Sequence, residues 1–527
     1  MRAFTSYLQE LGEFGQALDG LKAGKAVAIN GCVDSQKVHS IYFLGESFRQ
    51  KVIVTFQEKR VKEICEDARF YEKDVFAFPA KDYVFMQADI RGHELTRERL
   101  KVYRKILEGR PATFVTTFDA FMAPTVALKH FSEQRIFIEN DSVVEEQALA
   151  TRLVTLGYEK TYQVEEPGQF AIRGGIVDVF DLTEENPYRI ELWGDTVESI
   201  RSFDVLSQRS IEERSAITIY PATELILSGE RRREGLKRIE KETKTVSKAF
   251  RDRMETAKAA LVMKQFSYLK EQIEEFGVLA NLDGYIRYFY DDTVSLFELL
   301  NSASTLFVLD EPARLKEHGS AVELEFTESM KHRLEQGMCL PGQADFLYGV
   351  EQIFSRFMTG HLAAISTLDV RLSCFLPDEK FHIDARSINS YQNSFESLCE
   401  DLKRYRKQKY RVILLCPSRT RAVRMTEDLN RNDCPAFYSD VESRVVQPGE
   451  IMVQYGYICK GFEYPMIKLA VIAETDIFGA KKAKKKRKKY FEGQKIHSFT
   501  DLNVGDYVVH ESHGLGIYRG IEKIERE

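Results

Sequence analysis

The residues that could bind a phosphate stand directly after the first apolar strand pattern. A nucleotide-binding phosphate loop has the form Gly-x-x-x-x-Gly-Lys-[Ser/Thr]: the glycines admit the phosphates, the lysine neutralises them and the hydroxyl binds magnesium. Residues 31–38 have the sequence Gly-Cys-Val-Asp-Ser-Gln-Lys-Val, which keeps Gly31 and Lys37. Gln36 replaces the second glycine and Val38 replaces the hydroxyl, so neither function is retained. We therefore interpret this loop as vestigial.

An acidic pair after a later strand pattern could complete such a site. Asp310 and Glu311 follow the apolar run 305–309 and could imitate the carboxylates that hold magnesium. Acidic residues are common in loops, so the pair adds little to the case for ATP hydrolysis. The sequence predicts a loop that only folds the domain, and the residues of this vestigial site are Gly31, Lys37, Asp310 and Glu311.

A second group of chemically suited residues lies on one predicted strand, residues 189–193, with the sequence Arg-Ile-Glu-Leu-Trp. Successive side chains of a strand point to opposite faces, so Arg189, Glu191 and Trp193 should share one face. The single tryptophan therefore lies among charges. Arginine and tryptophan are enriched at protein–protein hot spots. The residues alone leave two interpretations open: a docking surface, or an indole that covers an apolar patch beneath a loop.

Histidines and cysteines give weaker indications. His510 and His513 could be a metal pair, but two histidines without a carboxylate or thiolate are more typical of turns and strands. The eight cysteines are far apart and form no Cys-x-x-Cys pair, as expected of a reduced cytosolic chain without a zinc site. The spacing gives no Ser/His/Asp or Cys/His set. The sequence thus predicts neither a metal site nor a nucleophilic catalyst.

Alternating strand and helix patterns must position the phosphate loop. A charged helix is predicted at 93–107, and strands are predicted at 26–29, 51–55 and 113–117. The order strand, helix, strand predicts a parallel sheet. From about 142 to 215, short strands with tight turns predict a small α+β insert that carries Trp193. The apolar run 305–309 indicates that the interrupted α/β domain then resumes.

The rest of the chain has three further patterns. Residues 230–300 have the spacing of long helices, with an apolar face formed by Val246, Phe250, Met254, Ala257 and Leu261. A second α/β unit is predicted at roughly 365–478. The run 481–489 has eight basic residues in nine and is predicted to be a solvated tether, with DNA phosphates as the weaker alternative. A β-rich module begins after it.

Length and composition limit the class of protein. At about 100–200 residues per domain, 527 residues hold three or four domains. Hydrophobic residues make up 43% and charged residues 30%, which is typical of globular protein. No window suggests a transmembrane helix or a signal peptide. The net charge of −6 argues against a general coat for nucleic acid, so we expect a cytoplasmic multidomain protein.

Several strings resemble one known family. Residues 169–180 (QFAIRGGIVDVF), 187–195 (PYRIELWGD) and 199–204 (SIRSFD) resemble the module shared by the excision-repair protein UvrB and the bacterial transcription-repair coupling factors. The Trp-Gly-Asp form and the following Gln-Arg-Ser look more like the coupling factors. Residues 461–479 are similar to the end of that family's third domain. Residues 505–516 look like the start of its CarD-like RNA polymerase-interacting domain.

The resemblance implies a function in transcription-coupled DNA repair. Such proteins recognise stalled RNA polymerase, displace it with an ATP-dependent DNA translocase, and recruit UvrA. Their N-terminal unit is a UvrB-like, superfamily 2 helicase-like module that has lost ATPase activity. The implied partners are UvrA, the RNA polymerase β subunit and DNA. The implied UvrA-docking residues are Arg173, Arg189 and Trp193, and the implied polymerase-interacting residues are Val508, His510, His513, Gly514 and Gly516.

The resemblance also implies parts that this sequence does not contain. Family members continue into a two-lobed motor with intact Walker motifs, which binds ATP and Mg²⁺, and a C-terminal domain that masks the UvrA-binding surface. We therefore expect a fragment without cofactors and without translocase activity. Its contacts with polymerase and DNA should be weak, because the polymerase-binding barrel is incomplete. UvrA binding should survive or be unmasked.

Two alternatives follow from the same resemblance. One is an ATP-dependent UvrB-like helicase subunit of the excision nuclease, whose loop tolerates Gln36 and Val38. UvrB also has a tyrosine-rich hairpin that grips damaged DNA, whereas between Val75 and His93 this chain has only Tyr83. The other is a CarD-like transcription regulator acting through residues 495–527.

The predicted fold class is α/β and multidomain. The units, in chain order, are the first part of a UvrB-like domain with a degenerate phosphate loop (1–141), the inserted docking domain (142–215), the second part of the UvrB-like domain (216–350), a third α/β domain (351–479), a basic linker (480–494) and the start of a small β-barrel (495–527).

Overall fold

The computed structural model describes residues 2–81, 93–276, 282–441 and 443–479, together with the backbone of two later strands. The chain divides into a large unit, Met1–Gly479, and a small unit, Ala480–Glu527. The predicted basic linker at 480–494 and Tyr83 lie outside the described residues.

The first part of the large unit alternates helices and strands as predicted. Its helices are α1 (Arg2–Thr5), α2 (Gly12–Lys22), α3 (Asp34–Leu44), α4 (Glu58–Ala68), α5 (His93–Glu108), α6 (Asp119–Met122) and α7 (Leu128–Glu133). Its strands are β1 (Val27–Asn30), β2 (Gln50–Thr55), β3 (Val75–Phe78), β4 (Ala112–Thr117), β5 (Pro124–Val126) and β6 (Ile136–Glu139). Every residue of β2 and β4 is buried. Burial along a whole strand is typical of parallel sheets covered on both faces.

The insert begins with helix α8 (Glu146–Thr155) and continues as a mainly antiparallel sheet. Its strands are β7 (Glu159–Lys160), β8 (Gln169–Arg173), β9 (Ile176–Val179), β10 (Tyr188–Trp193), β11 (Thr196–Phe203) and β12 (Ser210–Arg214), followed by β13 (Ala216–Ile219). The sheet order is β12-β11-β10-β9-β8-β7. Strand β13 pairs with β6 in a separate antiparallel ladder. This ladder brings the two ends of the insert together, a few residues outside the predicted limits of 142 and 215.

After the insert, two long helices precede the return to the first sheet. The helices are α9 (Gly229–Asp252), α10 (Thr256–Phe276), α11 (Ile286–Phe289), α12 (Leu296–Leu300), α13 (Pro312–Glu335), α14 (Pro341–Ala344) and α15 (Val350–Phe357). The strands are β14 (Thr293–Ser295), β15 (Thr305–Asp310), β16 (His361–Ile365) and β17 (Glu379–His382). Short 3₁₀ segments lie at Ser6–Glu10, Gly45–Ser47 and Leu282–Tyr285.

The turn between α9 and α10 corrects one expectation. The apolar spacing predicts that Met254 lies on a continuous buried helix face. Met254 instead has a φ of 62° and is 89% exposed. The chain reverses at this point, and α9 and α10 pack against each other through a shared apolar core. Beyond the reversal the predicted face is also wrong: Ala257 is exposed and Leu261 is half-buried, and α10 instead buries Val262 and Phe266.

The first sheet corrects the predicted boundary at residue 351. Its order is β17-β1-β16-β15-β2-β4-β3, and all its pairs are parallel. Strands β16 and β17 therefore belong to the first sheet and not to the third domain. The apolar run of β16 is common to any buried strand, so the sequence does not show which sheet receives it. The third unit begins only after β17.

The third unit is a second α/β sheet. Its elements are β18 (Arg386–Ser387), α16 (Phe395–Lys407), β19 (Arg411–Cys416), α17 (Arg419–Arg431), β20 (Phe437–Tyr438), β21 (Ile451–Tyr455), β22 (Phe462–Tyr464), β23 (Leu469–Ala473) and α18 (Glu474–Phe478). The sheet order is β18-β22-β23-β19-β21-β20. Ser418 caps α17 by accepting a hydrogen bond from the Arg421 backbone N–H.

One apolar core joins the first sheet to the third unit. Phe462 and Tyr464 of β22 are fully buried and lie in the same core as Val38 and Ile41 of α3. The two α/β units are therefore packed together within the large unit. An α/β multidomain fold is confirmed. No helix among the described residues is long and apolar enough to span a membrane.

The small unit contains one described hairpin. Strands β24 (Tyr507–His510) and β25 (Gly514–Ile517) pair antiparallel. A small barrel remains a prediction.

Candidate docking surface and the vestigial loop

The polar face of the insert sheet brings together residues from four neighbouring strands. Arg189 on β10 lies opposite Asp178 on β9 and Arg201 on β11. Arg173, at the end of β8, lies opposite Ile176 of β9, next along the same face. Side chains on this face therefore form cross-strand neighbours, which is the arrangement that lets charges on a sheet interact.

Asp178 is the centre of this face. Its side chain is only 1% exposed, and it accepts hydrogen bonds from Arg189 Nε at 2.7 Å and from Arg173 at 2.9 Å. A buried carboxylate needs such partners because its desolvation is costly. The hydrogen bond from Arg189 to Asp178 is also the main reason why the pKa of Arg189 is raised. Asp178 thus fixes the positions of both predicted docking arginines.

A two-residue turn places Arg173 at the end of β8. Gly174 and Gly175 link Arg173 to Ile176 and have φ values of 56° and 81°. Positive φ at both positions is the conformation of a tight hairpin turn and favours glycine. The Gly174-Gly175 pair therefore positions a predicted docking residue.

A second ion pair borders the arginines. Glu191 on β10 pairs with Arg201 on β11 and accepts a hydrogen bond from Ser199 Oγ at 2.8 Å. Desolvation raises the pKa of Glu191, but the hydrogen bonds from Ser199 and Arg201 outweigh it and the net pKa is lowered. Glu191 is therefore an anion that reduces the net positive charge of the face.

Trp193 lies at the end of the same strand and is 81% exposed. On the opposite face of β10, Ile190 is fully buried, as alternation predicts. The interpretation in which the indole covers an apolar patch beneath a loop is wrong, because a covered indole would not have this exposure. An exposed tryptophan at the end of the strand that carries the fixed Arg189 is an arrangement suited to protein docking.

Sequence reasoning missed several exposed apolar side chains on the insert, of which Leu206 and Tyr162 are the most exposed. Leu206 is 94% exposed in a turn where Asp204 Oδ1 accepts hydrogen bonds from the backbone and hydroxyl of Ser207. Tyr162 is 83% exposed, and the Arg173 guanidinium lies 5.9 Å from its ring centre. Both lie outside regular strand patterns, so alternation gives no signal for them. A cluster of Asp and Ser around Leu206 does predict a turn.

The structure brings together three of the four vestigial-loop residues. Lys37 Nζ lies 2.8 Å from Asp310 Oδ1 and 2.6 Å from Glu311 Oε1, and its side chain is 7% exposed. Arg60 Nε lies 3.4 Å from Asp310 Oδ2. Burial alone would raise the pKa of Asp310, but Lys37 and Arg60 outweigh it and the pKa is lowered. The lysine that would meet a phosphate is thus neutralised by carboxylates of the chain itself.

Gly31 is the fourth residue of the vestigial site, and the space beside it is filled by residues 382–383. It has a φ of 81°, and a Cβ there would lie 2.0 Å from the Ile383 carbonyl oxygen. The Gly31 N–H donates to the Thr367 carbonyl oxygen, and the Cys32 N–H donates to Ser366. The first two amides of the loop are therefore already paired with backbone carbonyls.

Gln36 also has a structural role. Its Oε1 accepts from the Val33 backbone N–H at 3.0 Å, and its Nε2 donates to the Tyr464 hydroxyl at 2.9 Å. It therefore joins helix α3 to strand β22 of the third unit. Val38 is fully buried in the core that the two units share. The two substitutions that weaken the phosphate-loop motif are both packing residues here.

The predicted polymerase-interacting residues lie on the β24–β25 hairpin. Val508 is paired with Gly516, and His510 with Gly514. His513 lies outside the described residues.

A cavity of about 680 Å³ lies elsewhere, between α4 and the third unit, and Tyr71, Arg419 and Tyr455 are among its lining residues. None of the predicted site residues lines it. No group of side chains among the described residues could hold a metal ion. Because the predicted docking residues do not line this cavity, the candidate site of the insert is an exposed surface and not a pocket.

Comparison with protein families defines the class of this surface. Residues 136–225 match the UvrB interaction domain, and residues 502–527 match the CarD-like/TRCF RID domain. The first match covers the whole insert sheet and the β6–β13 ladder that closes it. The chain therefore resembles proteins that carry both domains.

Whole-chain comparison then gives particular relatives. A transcription-repair-coupling factor of Bacillus subtilis is 29% identical over 532 residues, which cover 100% of this chain and 44% of the relative. Those of Staphylococcus epidermidis and Staphylococcus haemolyticus are 26% and 25% identical, with 99% of this chain and 44% of each relative covered. The predicted resemblance is confirmed: the chain is similar along its whole length to transcription-repair-coupling factors, and it spans less than half of their length.

Proposed function

We propose that this chain is a docking scaffold of transcription-coupled DNA repair, which recruits UvrA to a stalled RNA polymerase in the cytoplasm. The observation that carries the proposal is the polar face of the insert. There Asp178 holds Arg173 and Arg189 in place, and Trp193, at the end of the strand that carries Arg189, is 81% exposed. The match of residues 136–225 to the UvrB interaction domain supports the same surface.

The energetic basis is preorganisation. Arg189 is fixed by Asp178 and lies over the Phe203 ring, 4.4 Å from its centre. Arginines that are already ordered lose less conformational entropy on binding. The indole of Trp193 is 81% exposed and can bury its apolar surface in the partner. Arg173, Arg189 and Trp193 are the proposed UvrA-binding residues.

The polymerase contact is proposed for the small unit. The match of residues 502–527 to the CarD-like/TRCF RID domain supports it. Val508, His510, His513, Gly514 and Gly516 are the proposed contact residues. The RNA polymerase β subunit is the proposed partner. We assign DNA translocation to the part of the relatives that this chain does not span.

The contacts of the phosphate loop favour a docking scaffold over an ATP-hydrolysing enzyme. A nucleotide would have to displace Asp310 and Glu311 from Lys37, and the Gly31 amide from its carbonyl partner. We infer that the loop does not bind ATP, and that the alternative of a UvrB-like helicase subunit is disfavoured.

The first test is the affinity of the chain for UvrA, measured by titration calorimetry, with a Trp193→Ala variant. Loss of a central aromatic hot spot should weaken binding by about 2 kcal/mol or more, roughly 30-fold. The matched control is Tyr268→Ala, which removes an aromatic ring that is 61% exposed on α10, outside the insert. The control should bind like the parent.

Thermal unfolding of the same variants separates binding from folding. Trp193 makes little contact with the core, so its removal should leave the melting temperature unchanged. Equal UvrA affinity for the parent and the Trp193→Ala variant would overturn the assignment of this face. A well-folded parent chain that does not bind UvrA would overturn the proposed scaffold function.

A further inference from the structure

A straight row of cations runs along the exposed face of α9. The basic stripe consists of Arg233, Lys237, Lys241, Lys244, Lys248 and Arg251, and all six residues are exposed. At 3.6 residues per turn and 1.5 Å per residue, they fall within an arc of about 80° and extend over about 27 Å. Successive charges are three or four residues apart, so each lies one turn beyond the last.

Most of the cations in the basic stripe are not paired with an acidic side chain among the described residues. Lys244 pairs with Glu240 at 2.7 Å, and within the part of the chain that the structure describes the other five have no ion pair. Of the acidic residues on α9, only Glu230 in the first turn projects within the arc of the stripe. Lys270 of α10 acts on the pKa of Glu240, which places one more cation beside the row. This concentration of positive charge contrasts with the net charge of −6 of the whole chain.

The opposite face of α9 excludes a membrane as the partner. Leu236, Ile239 and Phe250 are buried in a core with Phe266 and Ile273 of α10. A helix that binds a membrane surface must insert its apolar face into the lipid. In α9 that face is already occupied.

The stripe also lacks the groups that bind single-stranded nucleic acid. Such binding uses exposed aromatic rings on which bases stack. The aromatic residue of α9 is Phe250, which is buried. A linear row of cations without stacking groups matches a linear row of phosphates instead. Duplex DNA presents a phosphate for about every 1.7 Å of its axis and is a rigid rod on this length scale.

We propose that the basic stripe of α9 is a binding site for the phosphate backbone of duplex DNA, independent of base sequence. The site lies outside the insert and outside the small unit, and it does not depend on the proposed UvrA contact. It would hold the chain on DNA while the insert engages its partner.

The test is the salt dependence of binding to a fluorescently labelled DNA duplex, measured by anisotropy with the full chain. The variant replaces Lys241, Lys248 and Arg251 by alanine, which favours helix and should leave α9 folded. Each lost phosphate contact lowers the slope of log affinity against log salt by about 0.9, so the slope should fall by about 2 to 3. Affinity at low salt should fall at least tenfold.

The matched control removes the same charges from another exposed helix. Lys403, Arg406 and Lys407 of α16 are exposed and have no ion pair among the described residues. Their replacement by alanine should leave the slope unchanged. An equal change of slope in both triple variants would mean that net charge alone decides binding, and would overturn the site. A parent that does not bind the duplex, or that binds anionic vesicles in preference to it, would also overturn the proposal.

Discussion

Lys37 occupies the position of a phosphate-binding lysine, but in this structure it forms buried ion pairs. Its ammonium group is buried between two carboxylates, and a third group, Arg60, completes the charge balance around Asp310. Removal of one partner from a buried ion pair leaves an uncompensated charge, which costs far more than the pair contributes. The lysine is therefore a stabilising residue of the first sheet.

We expect the Lys37→Ala variant to lose about 3 kcal/mol of unfolding free energy, measured by urea denaturation, because Asp310 and Glu311 stay buried without it. The control is Lys59→Ala, whose side chain is 83% exposed and pairs only with Glu63. Such a surface pair contributes about 0–1 kcal/mol. An unchanged unfolding free energy of the Lys37→Ala variant would contradict this structural role. If the parent also hydrolyses ATP, the enzyme interpretation would be restored.

At the scale of elements, the contact between α3 and β22 depends on an uncharged histidine. His39 is fully buried, and its Nε2–H donates to the Phe4 carbonyl oxygen at 3.0 Å. Its Nδ1 accepts from the Tyr464 hydroxyl at 3.0 Å, and that hydroxyl also accepts from Gln36. Protonation of Nδ1 would leave the Tyr464 proton without an acceptor. Burial lowers the pKa of His39 to about 4.

This lowered pKa predicts a stability loss in mild acid. Below pH 6.5 the unfolded chain binds a proton at His39 that the folded chain does not bind until about pH 4. Between pH 6.5 and 5 this linkage costs about 2 kcal/mol, at 1.36 kcal/mol per pH unit. Burial raises the pKa of Asp67 and Asp476 to about 6, which acts in the opposite direction.

The measurement is therefore a difference between two chains. We expect the unfolding free energy of the parent to fall by about 2 kcal/mol more than that of a His39→Gln variant over this pH range. Glutamine removes the titrating group and leaves the two aspartates in place. If the unfolding free energies of the parent and the His39→Gln variant change equally with pH, His39 is not held neutral in the folded chain.

The elements also show what the sequence can reveal. Alternation on β10 was enough to place Arg189, Glu191 and Trp193 on one face, because it depends only on neighbours in the chain. It could not identify Asp178 as their anchor, since that requires the register of β8, β9 and β10. The spacing of α9 predicted that Phe250 is buried, whereas it did not predict the basic stripe on the other side, whose interpretation requires the apolar face to be occupied.

At the scale of the whole molecule, the first sheet and the third unit share one core. Sequence reasoning separated them at residue 351, because it had no information on which sheet receives each apolar run. Phe462 lies on β22, but its ring is 5.3 Å from that of His39 on α3. Such packing couples the stability of two sheets that are far apart in the chain.

We expect Phe462→Ala to lower the unfolding free energy by about 3–5 kcal/mol, the usual cost of a large cavity. Amide hydrogen exchange should then show reduced protection in β1 and β16 as well as in β19 and β23. A matched substitution within the third unit alone is Leu429→Ala on α17, which lies in a separate core. Loss of protection confined to the third unit in the Phe462→Ala variant would contradict a shared core.

The exposure of the single tryptophan has an optical consequence. An indole already surrounded by water emits nearly the same light in the folded and the unfolded chain, so the intrinsic fluorescence of Trp193 should report poorly on denaturation. Excitation at wavelengths that tyrosine does not absorb would select this one ring among 24 tyrosines. A shift of its emission towards the blue would then signal that a partner has covered it, without any label attached to the chain.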